Sequence, residues 1–438
     1  MSRSTESHHH GGTTNIAVCP SAPEPPLPLQ TPSMVLPRPS PAADWCTVLT
    51  WAQMESAKKS ASAAADLTDD LIVEILSRLP AKSICRFKCV SWHWYGLITD
   101  PEHRKKIPQT LSGFFYPIHR WAAEDPDPVR ILPDFVDILG AEEPFADPKL
   151  TFMAGYRSII PKICCNGLLF CLCWKVSPRE EFDHVVCNPA TEKCVVVPES
   201  GDGSIHLAYY FGFDPAISPH FYVFQFTDAD EDYGYIGDLN IYSSETGAWS
   251  CKGNGWGDEL QIVDRGAVFL NGMLHLLSYD FKILAVNTEG KTWKTIHLLE
   301  PMTISCFWKG PEGFIGQSQG RLYYINRRIS DNKLSVWILE DYDSGEWAFK
   351  CSISTAHIFR EKDLMFERDY GLIAIHPECN MIFFVWRCED LLISYDMDRG
   401  KVRVICDLKE HLYDRPFLPY LPYVPYLSDS LAAQGGEA

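Results

Sequence analysis

The sequence predicts a multidomain chain, α first and then all-β: a proline-rich leader over 1–62, a small helical domain over 63–106, and a large domain of repeated strands over 107–430. Three observations carry this. Nine prolines fall between Pro20 and Pro41; the stretch "DLTDDLIVEILSRLPAKSICRFKCVSWHWYGLIT" (66–99) spaces apolar residues at three and four on both sides of a proline; and beyond 107 polar turns recur at near-constant intervals.

The leader's composition cannot build a packed core, so 1–62 read as disordered. "MESAKKSASAAADL" from Met54 resembles an ordinary protein start, and 1–53 read as dispensable or as a product of start-site choice, a transit peptide being the weaker alternative with only two Arg before Met54. His8, His9 and His10 read as incidental to the tail. In the helical block, Asp69 and Asp70 suit a first helical turn, and Thr68 is placed to cap it. Leu71, Ile72, Ile75, Leu76 and Leu79 then make one apolar stripe, which Pro80 ends. A second run passes through Ile84, Phe87, Val90 or Ser91, Trp94, Leu97 and Ile98 and stops at Asp100-Pro101. So short a block buries little among its own helices, and its apolar faces call for a partner.

Past residue 107, short β-prone runs alternate with turns. "NPATEKCVVV" (188–197), "SSETGAWSC" (243–251), "VNTEGKTWKTI" (286–296), "YDSGEWAFKC" (342–351) and "MDRGKVRVIC" (397–406) share one plan: a polar turn, then a strand. Aligning Thr191, Thr246, Glu289, Ser344 and Arg399 gives intervals of 55, 43, 55 and 55 residues. Each turn follows two further strands, so the unit has about four, which is the signature of a β-propeller blade. At this period the region holds five to six blades. "SGFFYP" (112–117) and the extreme C-terminus are placed to complete one or close the ring. No Trp-Asp dipeptide occurs, nor Gly-Gly between 107 and 434, so neither an orthodox WD40 nor an orthodox kelch array fits.

The formal charge of −18 lies almost wholly beyond residue 106, and such a surface repels phosphate backbones. No apolar stretch reaches the length of a membrane span and no secretory h-region opens the chain. The sixteen cysteines therefore read as reduced thiols of a cytoplasmic or nuclear protein, with neither nucleic acid nor membrane as partner.

Motifs for catalysis, metals or cofactors are weak. Cys171 and Cys173 share one face of a strand, where small buried thiols are common. Cys85 and Cys89 read as helix packing. The acidic run "DADEDYGYIGD" (228–238) lacks the spacing of a calcium loop. Phosphate-loop, dinucleotide, zinc-protease and serine-hydrolase signatures are all missing. Metal, cofactor and catalytic residues are thus expected to be none. Two aromatic loops stand out as target-binding candidates: Trp256, flanked by glycines in "GNGWGDE", and Trp121 in "RWAAEDPDP". The competing reading packs Trp256 between blades.

The block "LTDDLIVEILSRLPAKSICRFKCVSWHWYGLITDP" resembles the F-box, close to its plant form, with Thr68 and Trp92 departing from the usual Pro and Lys. "CNGLL", "NPAT", "FGFDP" and "IYSSETGAWS" resemble the F-box-associated, kelch-like propeller region of plant F-box proteins. The resemblance implies a non-enzymatic substrate receptor of a Skp1–cullin–F-box ubiquitin ligase. A Skp1-like adaptor, and through it a cullin and a RING protein, would be its partners, with an unknown protein as target. By that likeness Leu67, Leu71, Ile75, Leu79, Pro80, Ile84 and Phe87 are expected to contact the adaptor. The alternative is that some of these only pack on Trp94, Leu97 and Ile98. A propeller scaffold that binds the adaptor outside any ligase is the rival function.

Overall fold

A computed structural model describes residues 67–431 except 80–82, 85–86, 88–89, 101–102, 104–105, 108–110, 122–128, 139–146, 202–205, 229–234, 254, 257–259, 303–304, 307–309, 312, 329–331, 361–363, 365–367, 409–418, 427 and 429–430. The leader, His8–His10, Cys85, Cys89, Pro80 and most of the acidic run therefore lie outside the described residues.

In the helical block, helix α1 runs Asp69–Leu76 and helix α2 Trp92–Thr99. Thr68 takes the extended N-cap conformation, but its hydroxyl makes no cap hydrogen bond; the acidic pair in the first turn remains to balance the helix dipole. The second periodic run is not one helix. It breaks at exposed Val90, and Ser91 begins α2 by accepting a hydrogen bond from the Trp94 N–H at 3.2 Å. Such a serine offers the backbone a cap in place of a continued helix. Ile72, Val73, Leu76, Ile84, Leu97, Ile98 and Ile107 fill the block's small core.

The rest forms six blades. Five are four-stranded antiparallel sheets over 156–197, 206–251, 262–297, 313–354 and 370–407, here blades 1 to 5. The five recurring turns all join the third strand of a blade to its fourth. Blade 6 takes its innermost strand, Leu421–Tyr423, from near the C-terminus and two more, Gly113–Trp121 and Val129–Asp137, from the start of the domain. The innermost strands of the six blades neighbour one another in a closed cycle, with Leu421–Tyr423 between those of blades 5 and 1. "SGFFYP" and the C-terminal region therefore do complete a blade, and the ring has six.

The core lies between blades. Each sheet buries both faces against its neighbours, so its middle strands read as continuous apolar runs: "LLFCLC" (168–173), "MIFFVW" (381–386) and "LLISYD" (391–396) are buried almost throughout. Outer strands are more exposed, as in Lys401–Asp407, where no residue is fully buried. Two of the tryptophans that follow the repeated turns tie blades together. The indole N–H of Trp249 donates to the Pro198 carbonyl at 2.6 Å, and that of Trp347 to the His297 carbonyl at 3.2 Å, each at the outer edge of the preceding blade.

Candidate docking face and axial cavity

Helix α1 carries apolar residues on two faces. Ile72, Val73 and Leu76 point into the block's core, whereas Leu67, Leu71 and Ile75 are 37%, 51% and 42% exposed. Leu71 and Ile75 are four apart and align on the outer surface of the helix, and Leu67 lies just ahead of its extended N-cap, Thr68. Exposed Val90 adds a further apolar side chain to the block. The core behind is set by the Phe87–Trp94 ring contact, with centroids 5.2 Å apart, and by the His93 Nε2–Asp69 Oδ1 contact of 2.8 Å that ties α2 to the start of α1. Of the residues expected to contact the adaptor, Leu67, Leu71 and Ile75 lie on the surface. Leu79 and Phe87 are half-buried against the core, and Ile84 is sealed within it at 1% exposure. For Ile84 the packing reading is the one the structure supports.

The two aromatic loop candidates fare differently. Trp256 is packed: its ring meets Trp293 at 4.5 Å and Phe226 at 5.4 Å, and its indole N–H donates to the Ile236 carbonyl at 3.3 Å. The flanking glycine permits this, since a Cβ on Gly255 would stand 2.4 Å from Trp293 Nε1. Trp121 ends the middle strand of blade 6, opposite Val129 on its outer strand; its side chain lies outside the described residues.

Sequence reasoning found no cavity, and the structure has one along the propeller axis. It encloses about 1020 Å³ and is lined from all six blades, chiefly by their innermost strands. Nothing in the sequence marks such a space, because it is built jointly by strands far apart in the chain.

The quoted propeller marks have a structural task. In "CNGLL", Asn166 donates to the Phe213 carbonyl at 2.7 Å, and Gly167, at φ +88°, lies under the C-terminal segment, where a Cβ would meet the Val424 carbonyl at 2.4 Å. In "NPAT", fully buried Asn188 donates to the Tyr426 carbonyl at 2.8 Å and accepts from the Ala190 N–H at 3.0 Å. In "FGFDP", Phe213 packs edge-on against Tyr426 at 4.9 Å. All three hold the segment that follows the closing strand. The buried thiols of blade 1 are structural too: Cys171 is kept protonated by hydrogen bonding to Cys173 and Cys187 and by burial.

Comparison with known proteins agrees with this architecture. Residues 65–106 match the F-box domain, and residues 153–417 match the family described as "F-box protein At3g26010-like, beta-propeller". The chain is 28% identical over 395 residues to the Arabidopsis thaliana F-box protein At5g07610, covering 82% of this chain and 89% of that one. It is 27% identical over 300 residues to the Arabidopsis F-box protein At5g49610, covering 65% and 78%. A helical block with an outward apolar row, joined to six blades closed by a C-terminal strand, thus marks the chain as a member of the F-box proteins with an At3g26010-like β-propeller.

Proposed function

We propose that the chain is the substrate-recognition subunit of a Skp1–cullin–F-box ubiquitin ligase. The observation that carries this is the exposed set Leu67, Leu71 and Ile75, at the start of and along a helix whose inward-turned residues Ile72, Val73 and Leu76 already fill a core. Fully burying a side chain of this size is worth about 1.5–3 kcal/mol, and each of these three has a third to a half of that gain still to make. A Skp1-like adaptor would bury the row, and through it the cullin and RING protein would be recruited. The propeller would hold the target close to the ubiquitin-loaded enzyme, so the chain supplies proximity and orientation while bond-making belongs to other subunits.

We place the complex in the cytoplasm or nucleus. The described cysteines are all free, including Cys187 and Cys194, which stand directly opposite each other on paired strands, in keeping with a reducing compartment. Affinity capture of the tagged full chain from plant cells tests the proposal. Recovery of both a Skp1-like adaptor and a cullin is expected. Recovery of the adaptor without cullin would overturn the ligase role in favour of a scaffold, and recovery of neither would overturn the docking role as well.

A further inference from the structure

We propose that Cys194 is a site of thiol–disulfide exchange with a low-molecular-weight disulfide of the glutathione type, and that Cys187 resolves the adduct into a reversible bridge across the outer hairpin of blade 1. This stands independently of any role in a ligase.

Sulfur is concentrated on one face of that blade. A lateral row runs Cys164, Leu169, Cys187, Cys194, each residue directly opposite the next on paired strands, so all four side chains share a face. Cys171 and Cys173 follow Leu169 at alternate positions of its strand and belong to the same face. Access is graded along the row. Cys187 is sealed in the core, where it shares a hydrogen bond with Cys171 and serves packing in the reduced chain. Cys194 is exposed on Lys193–Val197, the outermost strand. Among the described strands, no other two cysteines stand directly opposite each other.

The bridge is within reach but strained. Directly opposed Cβ atoms stand about 4.5–5.5 Å apart, and a disulfide needs about 3.5–4.5 Å. The outermost strand has a sheet neighbour on one side only, so it can close that difference by shifting toward its partner. Strained and exposed disulfides are the readily reduced ones, which makes this bond reversible. The exchange has two steps. The Cys194 thiolate attacks one sulfur of the small disulfide, whose S–S bond breaks; a mixed disulfide forms, and a small thiolate leaves and takes up a proton. Cys187 then gives up its proton, attacks the Cys194 sulfur and expels the second small thiolate. The chain loses two electrons and two protons, and the small disulfide becomes two thiols.

Burial and the neighbouring Cys187 and Cys173 hold the Cys194 thiol above its ordinary range, so little thiolate is present near neutral pH and the first step is slow. The site therefore answers a sustained change in thiol–disulfide balance. Its effect is local: the bridge clamps the neck of the hairpin that begins at Asn188, and Asn188 holds the Tyr426 carbonyl. A clamped hairpin steadies the segment that follows the ring-closing strand.

The full chain would be held in buffers of reduced and oxidised glutathione at graded ratios, alkylated, and digested without reduction for mass spectrometry. Trypsin cuts after Lys193, between the two cysteines, so the bridge appears as a linked peptide pair. The Cys187–Cys194 pair should rise with the oxidised fraction, vanish with dithiothreitol, and form about tenfold faster at about pH 8 than at about pH 7. Cys251 is also exposed on an outermost strand but faces Asn240, so it should stop at the mixed disulfide. Cys194→Ser should remove the bridge and leave thermal unfolding of the reduced chain unchanged, because the side chain is exposed. Cys187→Ala should leave the glutathione adduct on Cys194 unresolved. Amide exchange over 424–431 should slow several-fold on oxidation of the wild type and not of Cys194→Ser. Absence of the Cys187–Cys194 pair at every ratio, a pair that survives dithiothreitol, a rate independent of pH, or exchange over 424–431 unchanged by oxidation would each overturn the proposal.

Discussion

His275 should make the propeller lose stability in mild acid by a calculable amount. The residue is 1% exposed between blades 3 and 4. A carbonyl can only accept, so the Nδ1–H donates to the Val268 carbonyl at 3.3 Å, and Nε2 then accepts from the Tyr342 hydroxyl at 2.9 Å. Burial opposes a charge here and brings the imidazole pKa from 6.5 down to about 4. Hydrogen bonding to the Val268 and Met273 backbone offsets only part of this; the Tyr342 phenol is pushed up to about 12 by burial and stays neutral, and the Lys294 ammonium lies 4.4 Å from the Tyr342 ring centroid. With the folded pKa below the unfolded one, the unfolded chain takes up a proton in this window that the folded chain refuses. Stability is therefore full above pH 6.5 and falls as pH drops toward about 4. A difference of this size amounts to about 3 kcal/mol in all, of which about 2 kcal/mol is lost by about pH 5. Urea unfolding followed by tryptophan fluorescence at about pH 7 and about pH 5 measures it, using His275→Gln as the reference, since glutamine keeps a donor and an acceptor but does not titrate. The wild type should lose about 2 kcal/mol more than the variant over that interval. Equal losses would refute the assignment of a buried, neutral imidazole.

Asn188→Ala should loosen the C-terminal segment, because it strips a buried donor from the Tyr426 carbonyl and an acceptor from the Ala190 N–H; the expected cost is about 1–3 kcal/mol, read as faster proteolysis within 424–431. Asn188→Asp, which keeps the acceptor and loses the donor, should be no better tolerated. Ser91→Ala should destabilise α2 by about 1 kcal/mol, seen as faster amide exchange over 92–99 with the propeller strands unaffected.

Much of the fold was legible because blades repeat their local chemistry. Positive-φ glycines at 247, 290, 345 and 400 sit in four of the five recurring turns and are placed where a tight strand connection needs them. The closing strand was less legible: Leu421–Tyr423 is only "LPY", too short and too proline-interrupted to announce itself, and only its pairing with Gly113–Phe115 makes it a strand. On α1, helical spacing merged two rows into one stripe. The 72–76 row and the 71–75 row differ by one residue of rotation, and only packing decides which turns inward. Glycines around Trp256 suggested an exposed tip, yet in the fold Gly255 is what lets two indoles approach. The axial cavity is assembled by ring closure alone, from strands far apart in the chain.

The most direct test of the docking role is the affinity of the full chain for a Skp1-like adaptor after Leu71→Ala and Ile75→Ala are combined. Both side chains are exposed, and alanine suits a helix, so the core of Ile72, Val73 and Leu76 stays intact. Calorimetry should show the adaptor binding at least about 100-fold more weakly to the double variant. An unchanged affinity, with the variant folded, would contradict the claim that this outward row is the adaptor-binding face.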